Sequence, residues 1–217
     1  MAIKRIALFR ALAPAVIARL AAGATAITMP RGKTLYRRGE HCQGLYLVTS
    51  GRIMLSVGNA DASKVVDLIG PGECVGLAAA LLGTPEIQTA ETVADCTLLL
   101  IPREVLLDCV ADTAALGLQL ATALSRQAYT SIANIEAFVL HSGRQRVVDY
   151  LLQIAAANGG RQRPLTLPAK KSIIASRLNL TPEYFSRMLH DLIEAGAIAV
   201  NGRQIAILDS ARLRACS

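Results

Sequence analysis

Residues 171–207 constrain this chain more than any other part of it. Two short helical patterns are separated there by only Asn179 and Leu180, and an alternating strand pair follows at once. The spacing predicts one helix over 171–178 and a second over 181–195. Thr181 suits the N-cap of the second helix, Pro182 its first position, and Glu183 the positive end of its dipole. Asn179 stands where so tight a turn needs a left-handed residue, and Ala175 is small enough to let the helices approach. Ile174, Leu178, Leu180, Phe185 and Met188 form their shared apolar core. Ile-Ala-Val, Asn201-Gly202, then Arg-Gln-Ile-Ala-Ile reads as a type I′ hairpin. A helix-turn-helix followed by a hairpin is a winged helix.

The first turns of the second helix carry Glu183, Ser186 and Arg187 at one-turn spacing. In a major groove, an arginine pairs bidentately with guanine O6 and N7, and a glutamate accepts from cytosine N4. The same spacing also suits a surface ion pair between Glu183 and Arg187, which contributes only ~0.2–0.5 kcal/mol. Charge favours the nucleic-acid reading. Residues 142–217 hold eleven Lys/Arg against five Asp/Glu, a balance of +6, whereas residues 1–141 balance at +1. The excess therefore sits where the winged helix is expected.

Upstream, residues 30–105 alternate short β-type runs with Gly and Pro, which predicts a small β-barrel or sandwich. Pro102 then opens helical patterning. A long helix is predicted over 114–141, with Leu118, Ala121, Ser125, Ala128, Ile132, Ile135 and Val139 recurring every three or four residues. Leu116, Leu120 and Leu124 form a second apolar stripe. Two stripes imply one face against the barrel and one against a partner, hence a homodimer. His141-Ser142-Gly143 suits a hinge, and Gly159-Gly160 should end the helix that follows. The division expected is an effector-sensing barrel with an N-terminal helix over 1–113, a dimerisation helix over 114–141, and a DNA-binding domain over 142–217.

Arg10 and Arg19 limit the apolar run of the opening segment to eight residues, which favours an amphipathic cytoplasmic helix over a signal peptide. The uncharged stretch 113–125 is too short to span a bilayer, so no membrane role is expected. Five cysteines without a CxxC fit a reduced cytoplasm. The barrel region holds His41 as its one histidine and no tight cysteine cluster, which argues against a cupin-type metal site and an iron-sulfur cluster. No nucleophile-base motif points to an enzyme.

Gly-Glu-His-Cys-Gln-Gly-Leu-Tyr-Leu-Val-Thr-Ser-Gly-Arg (39–52), Leu-Phe-Arg-Ala-Leu (8–12) and Glu183-x-x-Ser186-Arg187 resemble the CRP/FNR regulators over essentially the whole chain. That resemblance implies an α+β fold: a cyclic-nucleotide-binding-like β-barrel (jelly roll), a long dimerisation helix and a C-terminal winged helix-turn-helix. It implies a transcription regulator, an activator working with RNA polymerase. The Glu-x-x-Ser-Arg head is similar to the FNR type, which implies palindromic TTGAT-like half-sites. Pro182 replaces the arginine of the cyclic-AMP-type head, so that guanine contact should be missing. Lys171, Ser172, Thr181, Tyr184, Asn201 and Arg203 become candidates for DNA-backbone contacts.

Residues 70–76 resemble the family's phosphate cassette, which makes Gly72, Glu73, Gly76, Leu77, Ile87 and Gln88 the candidate effector pocket. Leu77, Ile87 and Gln88 stand where a cyclic phosphate would need polar and cationic anchors. The pocket is therefore expected to be apolar, suited to haem or another flat ligand rather than a cyclic nucleotide. A looser likeness to denitrification regulators implies haem and nitric oxide, with His41, His141, Cys42, Cys74, Cys96, Cys109 and Met54 as conceivable ligands. The residues themselves leave the effector open. They also leave open a ligand-binding barrel whose winged helix contacts protein, or a regulator responding to a cyclic nucleotide or other small molecule.

Overall fold

A computed structural model describes residues 6–59, 62–157 and 164–216. The proposed helix stop at Gly159-Gly160 lies outside them. The chain divides into two compact units, Met1–Tyr129 and Thr130–Ser217.

In the first unit, a 3-10 turn (Ala7–Phe9) and helix α1 (Pro14–Ala22) precede the barrel strands. These are β1 (Thr25–Met29), β2 (Thr34–Tyr36), β3 (Gly44–Ser50), β4 (Ile53–Asn59), β5 (Ala62–Ile69), β6 (Cys74–Val75), β7 (Thr89–Thr92) and β8 (Cys96–Pro102). Helix α2 (Leu77–Leu82) interrupts them, and α3 (Arg103–Asp112) and α4 (Ala114–Leu140) follow, the division between the units falling within α4. One sheet runs β1-β8-β3-β6 and the other β2-β7-β4-β5, which is the jelly-roll arrangement expected.

Strand β3 shows why the two sheets close. Its residues are buried on both faces from Gly44 to Val48, as a near-continuous apolar run requires. Tyr46 and Val48 point between the sheets, toward Ile53, Leu55, Ile69, Val75 and Leu98. Leu45 and Leu47 point the other way, into a second core with Phe9, Leu20, Leu106, Leu116 and Leu120 from the turn and the helices. The stripe Leu116–Leu120 of α4 is thus the buried one. Leu118, Ile132, Ile135 and Val139 of the other stripe are 68, 66, 60 and 74 % exposed, and Ala121, Ser125 and Ala128 are exposed with them. So apolar a face on one exposed helix is a mark of association. Pro102 is the N-cap of α3, one residue before the first-turn position expected of it.

The second unit carries α5 (Gly143–Ala157), β9 (Leu165–Thr166), α6 (Lys171–Arg177), α7 (Pro182–Glu194), β10 (Ile198–Asn201), β11 (Gln204–Ile207) and α8 (Ser210–Ala215). Ser142 and Gln145 cap α5 reciprocally: the Gln145 amide donates to Ser142 Oγ at 3.1 Å and the Ser142 amide to Gln145 Oε1 at 2.8 Å. Strand β11 pairs with both β10 and β9.

Candidate nucleic-acid interface

The geometry of α7 follows from its sequence. Thr181 Oγ1 accepts a hydrogen bond from the Tyr184 amide at 3.2 Å, and Pro182 takes the first position, where its missing N–H costs nothing. Phe185, Met188, Leu189 and Leu192 are buried at helical spacing against the rest of the unit. That fixes the opposite face, on which Glu183, Ser186, Arg187 and His190 are exposed. At a rise of ~1.5 Å per residue, Glu183 and Arg187 lie about 6 Å apart along the axis, a span that adjacent base pairs can meet.

The turn before α7 is made by Asn179, at φ 54°, the one non-glycine residue with positive φ among those described. The Leu180 amide then bonds to Ala175 O at 2.9 Å, closing the angle between α6 and α7. Ile174 and Ala175 are fully buried where the helices meet.

Arg187 does not pair with Glu183. Its guanidinium lies 5.1 Å from the centroid of the Tyr184 ring, a cation–π contact of about 0.5–1 kcal/mol at an exposed site. Tyr184 thus packs against Arg187 on this face of α7. Of the other candidates, Ser172, Thr181, Asn201 and Arg203 are exposed and Lys171 is half-buried at the start of α6.

The wing departs from the type I′ expectation. Asn201 pairs with Gln204, so the two central residues are Gly202 and Arg203 rather than Asn201 and Gly202. Gly202 has φ 60° and Arg203 is not among the positive-φ residues. A positive φ at the first central position alone is the II′ pattern, which glycine satisfies there. The shift leaves Asn201 in the strand and sets Arg203 at the tip, where its carbonyl accepts from the Leu167 amide at 2.8 Å.

Not all the positive charge of this unit faces outward for a ligand. Arg146 donates to Leu178 O at 3.0 Å and His141 O at 2.9 Å, Arg144 to Cys216 O at 2.6 Å, and Arg212 to Ala195 O at 3.2 Å. These three hold carbonyls within the unit. Arg187 and Arg203 are exposed on α7 and the wing, and Lys171 is half-buried at the start of α6.

Two family profiles cover most of the chain: the cyclic nucleotide-binding domain over residues 26–113 and the Crp-like helix-turn-helix domain over 145–216. The chain belongs to the CRP/FNR superfamily. As a CRP/FNR-type protein it is a DNA-binding transcription regulator. Over 96 % of its length it is 26 % identical to the CRP-like cAMP-activated global transcriptional regulator of Mycobacterium tuberculosis, covering 95 % of that protein. DNR from Pseudomonas aeruginosa is 29 % identical, with 97 % of this chain and 93 % of that one aligned at a TM-score of 0.50. FixK2 from Bradyrhizobium japonicum shares the fold at a TM-score of 0.81, with 21 % identity over 89 % of this chain and 97 % of that one.

The effector side of this CRP/FNR regulator departs from the apolar pocket expected. Leu77 is buried in the core shared with the helices, while Ile87 is 72 % exposed, so the two do not line one closed apolar space. The reason is local: α2 begins at Leu77 and turns that side chain toward α3 and α4. Glu73 is occupied within its own turn, accepting the Gly70 amide at 2.6 Å, and Gly72 stands in open space. The sequence reading passed over Glu86, which is only 6 % exposed.

Among the described residues no single helix is long and apolar enough to cross a membrane.

Proposed function

We propose that this regulator acts in the cytoplasm as a homodimer on palindromic TTGAT-like sites, activating transcription with RNA polymerase under control of an effector. Glu183, Ser186 and Arg187 read bases; Lys171, Ser172, Thr181, Tyr184, Asn201 and Arg203 hold the backbone. The observation that carries the reading is the face of α7: three polar side chains exposed along one line, above a helix whose other face is wholly engaged in the core. The apolar stripe of α4 supports the dimer, and two-fold symmetry supports the palindrome.

Neither a cyclic nucleotide nor haem finds its usual anchors in the barrel. A cyclic phosphate needs a cation, and the cassette region 70–88 contains none. Haem, with nitric oxide as its signal, needs an available axial ligand. None of the three histidines is buried: His141 contacts Asp149 at 2.9 Å and His190 contacts Glu194 at 3.3 Å, while His41 is exposed. Burial pushes the thiols of Cys42 (to about 11), Cys74 (to about 12), Cys96 and Cys109 upward, away from the thiolate an iron takes. These histidines and cysteines do not fit a haem held within the barrel.

The test is a titration of the palindrome and of a scrambled duplex at one salt concentration. Arg187→Ala should cost about 1–3 kcal/mol on the palindrome and relax discrimination at the guanine. Full preference in the variant would refute the reading of α7.

A further inference from the structure

Glu86 is the most unusual polar residue in the first unit. It is 94 % buried, and its Oε1 has no hydrogen-bond partner among the described residues. The chain holds it firmly: Gly39 N donates to Glu86 O at 2.7 Å, and Glu86 N donates to Glu40 O at 2.9 Å. Buried polar groups are paired in the great majority of cases, and an exception asks for an explanation.

Its surroundings supply acceptors rather than donors. Oε1 looks toward Gly76, where a Cβ would lie 3.2 Å from it and 2.7 Å from Gly44 O. The Cys42 thiol stands beside Glu86, and its Sγ donates to Gly44 O at 3.5 Å and to Gly76 O at 3.6 Å. That single weak donor is thus shared between two carbonyls. Tyr36 and Tyr46 pack together 5.9 Å apart nearby, and Tyr46 directs its hydroxyl to Gln43 Oε1. Arg103, whose charge is felt at the Cys42 thiol, commits its Nε to Ala80 O at 2.8 Å. An anion entering here would meet a carboxyl and two carbonyls. A ligand bringing N–H groups would satisfy Oε1.

We propose that Glu86, beside Gly76 and the Gly44 carbonyl, is the recognition group of the effector site and takes an N–H-donating head, cationic or neutral, instead of a phosphate. The proposal rests on the reading of the first unit as the effector domain. It puts a hydrogen-bond donor where the family's cassette would take a phosphate. It also explains why a carboxyl is kept where burial raises its pKa: without a donor the charged form is disfavoured, and a donor restores it.

The sign of the linkage gives a first readout. A carboxyl whose folded pKa is raised destabilises the fold as pH climbs from its unfolded pKa through its folded one. Glu86→Leu and Glu86→Gln should therefore be more thermostable than wild type at neutral pH, by about 2 °C or more in Tm, with the gap closing in acid. The second readout is ligand-dependent. Millimolar methylguanidinium, at ionic strength matched with sodium chloride, should raise the wild-type Tm and perturb the near-UV absorbance of Tyr36 and Tyr46; guanosine, with a neutral N–H edge, is the second arm. A response to methylguanidinium alone assigns a cationic head, and a response to guanosine a neutral one. Both responses should vanish in Glu86→Leu. Variants less stable than wild type, no response to either probe, or equal responses in the variant would each overturn the proposal. Retained binding of wild type to the palindrome separates its failure from failure of the regulator reading.

Discussion

Replacing Ile132 and Ile135 by aspartate tests the dimer through the apolar stripe that α4 leaves uncovered in the single chain. Leu118, Ile132, Ile135 and Val139 are 60–74 % exposed. Burying a whole Leu, Ile or Val side chain contributes about 1.5–3 kcal/mol, so covering two-thirds of one contributes roughly 1–2 kcal/mol. Two copies of the four yield about 8–16 kcal/mol, against an association cost of ~4–15 kcal/mol. The margin is narrow enough for the seam to be broken by two positions. Ile132→Asp with Ile135→Asp removes half of that burial, about 4–8 kcal/mol, before the cost of setting four carboxylates in an apolar seam. Dimer affinity should fall by at least about a thousandfold. Neither residue packs in the core of its own chain, so far-UV circular dichroism and the barrel's Tm should be retained. Sedimentation velocity at micromolar protein should show monomers. A dimer of undiminished affinity would move the interface off this face.

Three further outcomes follow from the same geometry. Lys171→Ala and Arg203→Ala should weaken binding to all duplexes alike and lower the salt slope by about one each; a loss confined to the palindrome would contradict backbone contacts. Asn179→Ala should lower the stability of the DNA-binding unit by about 1 kcal/mol, because alanine resists the φ of 54°. Asn179→Gly should fold normally, and equal thermal melts for both variants would show that the turn does not depend on that conformation. Calorimetry with cyclic AMP and cyclic GMP should give no binding at micromolar concentration, and added haem should give no ligated Soret band; tight binding of a cyclic nucleotide would overturn the account of the cassette.

What the sequence made legible was whatever depends on periodicity and local chemistry. The core face of α7, the cap at Thr181 and the left-handed Asn179 all follow from spacing and from what each side chain can do within four residues. The wing was legible as a hairpin but not in register. Asn-Gly fits a type I′ centre, yet glycine equally satisfies the first position of a II′ turn, and only the pairing of Asn201 with Gln204 decides between them. Strands β1, β2 and β7 are short and rich in threonine, so their alternation was too weak to stand out. Leu77 and Ile87 were placed by likeness to a motif, and side-chain direction is not a property of a motif. Glu86 was hidden for a related reason: between Pro85 and Ile87 it reads as an ordinary loop carboxylate. Only the non-local bonds to residues 39 and 40 reveal that it is held inside.

The energies suit a switch built on that buried carboxyl. Taking the DNA-competent state from a few per cent to a majority requires about 2–3 kcal/mol of differential binding. Leaving a buried acceptor unsatisfied costs roughly 1–3 kcal/mol, and more when the group is charged. A donor meeting Glu86 Oε1 in only one state of the protein therefore provides a free energy of the size needed, without a large ligand interface. A donor meeting it equally in both states would shift nothing, however tightly it bound. The coupling must then come from how the cassette closes over Glu86. Gly76, at φ 82° and with no room for a side chain against Gly44 O, is the point where backbone and carboxyl meet. A ligand meeting Glu86 beside Gly76 would act on the start of α2, whose Leu77 packs in the same core as Leu116 and Leu120 of α4. Proton, ligand and helix packing are in this way joined through one buried oxygen and the two residues beside it.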